Sequence, residues 1–175
     1  HDYARLRLNE AAETSTLQLR HAQYFLQLAE QAERNLTGTQ QAYWINLLER
    51  EHDNLRAALH WSLQAQEHEI TLRLVRWLGR FWFFRGYYRE GGQWVQHALQ
   101  TNAARIERAD PASELARLYA RTLFHAGRLS RPFGDYALTN AYFERSLGLL
   151  RQQNDPRTTA VVLNSLGVSA MEQNQ

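Results

Sequence analysis

Two stretches of the chain set guanidinium and aromatic groups at helical spacing. Arg73, Arg76, Arg80 and Phe83 form one set, and Arg121, Phe124, Arg128 and Arg131 form the other. If each stretch is helical, its four side chains share a face. All 20 basic residues are Arg, because the sequence contains no Lys. The planar fork of Arg suits bidentate contact with carboxylates and phosphates. A groove lined by these eight residues would attract an acidic peptide, a phosphorylated ligand or an acidic segment of the parent protein. The plainer reading is a solvated face on which each Arg meets a glutamate or water. Codon bias in a GC-rich genome is the matching plain account of the missing lysines.

Other constellations point less far. Trp77, Phe81, Trp82, Phe83, Phe84, Tyr87 and Tyr88, with Arg80, Arg85 and Arg89 among them, have the composition of a platform for nucleobases. An aromatic run on a helix is more often core. His52 and His60 are eight apart, and His21, His97 and His125 stand alone. No His-Glu-x-x-His pattern or third ligand accompanies them, so no metal site is expected. Glu51, His52 and Asp53 resemble acid–base groups, but capping and local hydrogen bonding fit them better. A carboxylate at Glu51, within an apolar stripe, needs a hydrogen bond or a partner such as Arg or His. Neither a Ser-His-Asp arrangement nor a Gly-rich phosphate loop is found. The expected protein is not an enzyme and takes no cofactor.

The elements that must hold these groups are helical. With only 9 Gly and 3 Pro in 175 residues, the chain lacks the turns of a sandwich or barrel. Helix formers fill most positions, so the fold class is all-α. Phe25, Leu28, Ala29 and Ala32 mark a helix ending at Asn35-Leu36-Thr37-Gly38. A second stripe from Trp44 to Ser62 predicts one long helix of about five turns, with a kink near Asp53 and Asn54. Further helices are expected over 70–85, from Tyr87 to about Asn102, and from Asp110-Pro111 to about Ser130. The last two run from Asp135 to Gln152 and from Arg157 to about Glu172. Asp before Pro is an N-terminal signature at both Asp110-Pro111 and Asp155-Pro156. The absence of cysteine excludes disulfides and thiolate metal sites and suits a cytoplasmic protein. No apolar run is long enough for a membrane span, and the N-terminus lacks a signal-peptide pattern.

Gly134-Asp135-Tyr136 followed by Phe143-Glu144-Arg145-Ser146-Leu147 resembles the turn and second helix of a tetratricopeptide repeat. The same frame gives Leu78-Gly79, Trp82, Gly86, Gly91, Val95 and Ala98 in the preceding unit, and Leu166-Gly167 with Ala170 in the next. Small residues at 79, 91, 98, 127 and 167 would let helices approach, with Gly79, Gly127 and Gly167 in equivalent places. The resemblance implies a tetratricopeptide-like right-handed superhelix, an α-solenoid of antiparallel helical hairpins. A wider likeness runs from Arg20-His21-Ala22-Gln23-Tyr24-Phe25-Leu26 through the segment Trp44 to Leu59 and on through Phe81-Trp82-Phe83-Phe84-Arg85-Gly86. It is similar to the helical tails of bacterial signal-transduction ATPases, the LuxR-type and antibiotic regulatory protein-type transcriptional regulators.

That likeness implies three parts. Residues 1–13 would end a winged-helix-like module, 14–66 would be a family-specific helical hairpin, and 67–175 would be tetratricopeptide-like repeats truncated in a third or later unit. The implied function is non-catalytic binding of a protein, peptide or small inducer within a multidomain regulator. Nucleotide and DNA would be bound by other domains of the parent, since this sequence has no Gly-Lys-Ser/Thr phosphate loop. Exposed repeat ends would favour self-association. The rival function is a nucleic-acid-binding helical repeat that uses the arginine-rich groove.

Overall fold

The computed structural model describes residues 2–173, with side chains from 13 to 173. All of its regular structure is helical. The elements are α1 (Asp2–Asn35), α2 (Gln41–Arg50), α3 (His52–Gln64), α4 (His68–Arg85), α5 (Tyr88–Glu107), α6 (Glu114–Ser130), α7 (Tyr136–Gln152) and α8 (Pro156–Gln173), with a 3-10 turn at Arg131–Phe133. The winged-helix end expected over 1–13 falls almost wholly on residues whose side chains lie outside those described. The backbone there belongs to the continuous α1. Among the described residues, no helix is long and apolar enough to cross a membrane. The chain divides into two compact units, His1–Leu74 and Val75–Gln175.

The first unit is built on small residues. Ala22, Ala29 and Ala32 of α1 are fully buried beside Phe25 and Leu26, and Leu36 closes the stripe just past the helix end. With no more than a methyl group at those three positions, α1 packs closely on α3, which contributes Leu55, Ala58 and Leu59. The Thr71 hydroxyl donates to the Ser62 hydroxyl at 2.8 Å, joining α3 to the start of α4 without leaving either group unsatisfied in the core.

Helix α6 is the centre of the second unit. Eleven of its residues are buried, and it packs on α5, α7 and α8. Three contacts along α6 show that α7 runs antiparallel to it. Ser130 meets Thr139 through their hydroxyls at 2.9 Å, a Cβ on Gly127 would lie 2.5 Å from the Phe143 ring, and the Ser146 hydroxyl donates to the Ala120 carbonyl at 2.7 Å. Trp82 of α4 lies over Gly91 of α5 in the same manner, where an added Cβ would come within 2.8 Å. Between those two helices Gly86 adopts φ 73°, and the Tyr87 amide reaches back to the Trp82 carbonyl at 2.9 Å. This is the left-handed helix ending for which Gly is suited.

Three expectations are corrected. The long second helix is interrupted at Glu51, with φ −93° and ψ 8°, leaving α2 and α3 as separate helices. The Glu51 carboxylate at that break accepts from the Asn54 side-chain amide at 2.8 Å, the hydrogen bond expected of it. Helix α6 starts at Glu114, not at Pro111, because Asp110 accepts from the Ala112 amide in a local turn and Ser113 becomes the cap. The three glycines expected in equivalent places differ in surroundings. Gly127 lies against Phe143 of α7, Gly79 against His125 of α6, and nothing lies within 4 Å of a Cβ built on Gly167.

Gly127 and Gly148 should therefore respond in opposite senses to alanine. In either helix Gly→Ala favours the helical state by about 1 kcal/mol. At Gly127 the new methyl meets the fully buried Phe143 ring, and such overpacking costs about 1–3 kcal/mol, more for leucine. Gly148 is exposed with open space around it. The urea midpoint should fall for Gly127→Ala and rise for Gly148→Ala.

Candidate functional site

The arginine-bearing faces of α4 and α6 within the second unit meet around His125. Because Gly79 has no side chain, the His125 ring sits where its Cβ would be, 2.3 Å from the nearest ring atom. One turn earlier on α4, Arg76 places Nη1 3.3 Å from His125 Nε2. A guanidinium can only donate, so Nε2 accepts and the imidazole proton resides on Nδ1. Burial, then the charges of Arg76, Arg128 and Arg80, hold the His125 pKa well below 6.5. His125 is thus neutral near pH 7, and its role is to orient Arg76.

Arg128 follows Phe124 by about one turn of α6. Its guanidinium lies 3.8 Å from the centre of the Phe83 ring and 5.7 Å from that of Phe124. Burial, then repulsion from Arg80 and Arg131, lowers the Arg128 pKa to about 10, with Tyr88 acting in the opposite sense. Arg128 therefore stays charged at neutral pH. Among the described residues it makes no ion pair, and ring faces hold it instead. Arg76 also lies over a ring, 4.7 Å from the centre of Trp77, and is only 9% exposed.

The other residues expected in the groove are engaged elsewhere. Arg121 donates to Asp155 at 3.0 Å, and Arg131 lies 3.5 Å from the Glu172 carboxylate. Arg73 belongs to the first unit, where Glu30 and Glu69 each lie 3.8 Å away. Phe124 is buried and Phe83 half-buried. The structure thus brings Arg76, Arg80, Phe83, Phe124 and Arg128 together and gives Arg121 and Arg131 carboxylate partners. Sequence reasoning leaves His125 aside as isolated, because its contacts on α4 are distant along the chain. It also gives Asp155 a capping role alone.

The remaining constellations are mostly structural. Phe81 and Trp82 are core, and Phe83 packs edge-on against Tyr88 at 5.9 Å. Asp53 pairs with Arg56 at 3.0 Å on an exposed turn. Among the described residues, no group of three or more His, Asp or Glu is placed to hold a metal ion. A cleft of about 200 Å³ opens between α5, the end of α6 and the start of α7, with Tyr88, Gln93, Phe133, Leu138 and Tyr142 in its walls. It is lined by a different face of α6 from the one that carries Arg128.

Comparison with known proteins gives one group of relatives. The chain is 26% identical over 168 residues to provisionally named HTH-type transcriptional regulators of Mycobacterium bovis and of two strains of Mycobacterium tuberculosis. The match takes in 96% of this chain and 19% of each relative, so the chain spans about a fifth of their length. No protein-family profile matches the chain, and no solved structure matches it significantly.

Two depressed pKa values set the response to acid. His125 is lowered in the fold, so the unfolded chain takes up that proton first. Its contribution is complete above about pH 6.5 and is lost as pH falls towards the folded value. At Asp155 burial raises the pKa, but hydrogen bonds from the Thr158 amide and hydroxyl and from Arg121 outweigh it and hold the carboxyl at about 2. That contribution is present above about pH 4 and is lost as pH falls towards 2. Urea midpoints measured against pH should fall in two stages. His125→Gln should remove the upper stage and Asp155→Asn the lower.

Proposed function

We propose that this chain is a non-catalytic binding module of a multidomain transcriptional regulator, sensing a protein or peptide partner or a small inducer. Its likeness to HTH-type transcriptional regulators, of which it spans about a fifth, supports the regulatory part of this reading. The binding part rests on Arg128, a half-buried cation held on ring faces without an ion pair among the described residues. Such a cation is a ready partner for an acidic segment. In this reading α4 to α8 are tetratricopeptide-like hairpins of a right-handed superhelix, and the parent belongs with the LuxR-type and antibiotic regulatory protein-type signal-transduction ATPases. Nucleotide and DNA are bound by its other domains, in the cytoplasm, and the module needs no cofactor. Exposed Val161, Leu163 and Met171 on α8 provide for self-association.

Titration of the 175-residue chain with a short Asp/Glu-rich peptide and with a single-stranded oligonucleotide, each across salt, tests this reading. The peptide should bind to wild type and lose most of its affinity to Arg76→Ala plus Arg128→Ala. Oligonucleotide binding that is tighter, falls steeply with salt and is abolished by the same pair would replace this function with nucleic-acid binding.

A further inference from the structure

We propose that the cleft between α5, the end of α6 and the start of α7 binds a small aromatic carboxylate, with its ring against Phe133, Leu138 and Tyr142 and its acid group on Arg89. The inference goes beyond acidic-partner binding at Arg128 and stands independently of it, since the cleft lies on another face of α6.

The first argument is the division of the cleft into a polar and an apolar wall. Arg89, Gln93 and Gln96 recur at helical spacing along α5 and line one side. Phe133, in the turn after α6, lines the other with Leu138 and Tyr142, which are one turn apart on α7. Buried Ala126 and Leu129 are the apolar contribution of α6. Phe133 is 56% exposed and Leu138 44%, so a flat apolar ring laid on that side would withdraw both from water. Arg89 is the one charged residue in the described lining, and no ion pair or hydrogen bond among the described residues engages its guanidinium. A single unmatched cation calls for a single negative charge, and a carboxylate meets its fork with two parallel hydrogen bonds. Gln93 and Gln96 add neutral hydrogen-bonding groups and no competing acid.

The second argument is the space left on α5. Two glycines stand together there, and only the first is required by packing. Gly91 makes room for Trp82, whereas a Cβ built on Gly92 would meet nothing within 4 Å. Glycine inside a helix weakens it, and no neighbouring side chain demands this one. Gly92 lines the cleft between Arg89 and Gln96, so its missing side chain keeps that wall open. The resulting cleft, about 200 Å³, is smaller than the roughly 300–1,000 Å³ that drug-sized ligands occupy. It suits an acid of one or two rings better than a nucleotide or a long peptide.

Titration of the isotope-labelled 175-residue chain with phenylacetate, phenylacetamide and hexanoate, followed by amide chemical shifts, tests the site. Phenylacetate should bind saturably, with shifts concentrated in segments 88–96, 126–130 and 133–142. Phenylacetamide lacks the charge and hexanoate lacks the ring, and each should bind at least about fivefold more weakly. Arg89→Gln should bring phenylacetate down to the affinity of the amide. Gly92→Leu should abolish binding by filling the cleft, while thermal melting shows it at least as stable as wild type. Arg89→Gln, at an exposed position, carries the test if Gly92→Leu unfolds. Phenylacetate that fails to saturate, shifts scattered away from the cleft, or affinity untouched by these variants overturns the site. Amide binding as tight as that of the acid overturns the carboxylate, and hexanoate binding as tight overturns the ring. A Phe-containing acidic peptide that takes the cleft more tightly than phenylacetate overturns the small ligand. Acidic-peptide binding at Arg128 should persist in Gly92→Leu, so failure of either site is read separately from failure of the other.

Discussion

Helix α6 is approached from several sides at once, and everything else in the second unit depends on how that is possible. Its neighbours include the Phe143 ring, so close to Gly127 that a methyl group would collide with it. On α4 the same economy of volume at Gly79 admits the His125 ring. Interiors pack to the density of organic crystals, so a missing side chain on one helix is filled by a large one from another. The register of α6 is set by these ring-into-gap contacts. That register in turn decides which of its side chains face Arg76 and Arg80.

The electrostatic pattern follows from this packing. A histidine at 125 on a free helix would be an ordinary titrating group. Seated against Gly79 and surrounded by guanidinium charges, it is confined to its neutral form. Rings replace carboxylates as the support for Arg128, so its charge remains available while the side chain is held.

Much of the helical order is legible in the residues, because apolar side chains at 3.6-residue spacing report local geometry directly. Phe25, Ala29 and Ala32, or Leu72, Val75, Leu78 and Trp82, occupy the buried faces that their spacing implies. The break at Glu51 is hidden because the apolar stripe continues through it. Ser113 escapes notice because Asp110-Pro111 carries the same kind of start signal a few residues earlier. The arginine-bearing faces are visible as a pattern, but not which arginines find carboxylates. Pairing of Arg121 with Asp155, or of Arg76 with His125, depends on helices that meet only after the chain has folded.

The Asp155 carboxylate has two tasks that are usually separate. It receives the Thr158 amide at the first turn of α8 and also the Arg121 guanidinium from α6. Asn154, with φ 51°, turns the backbone immediately before it. Winding of α8 and its docking are therefore coupled through a single group. Fraying of the first turn would loosen the grip on Arg121, and loss of Arg121 would weaken the first turn. Such coupling makes the last helix and the central one open together, as one cooperative unit.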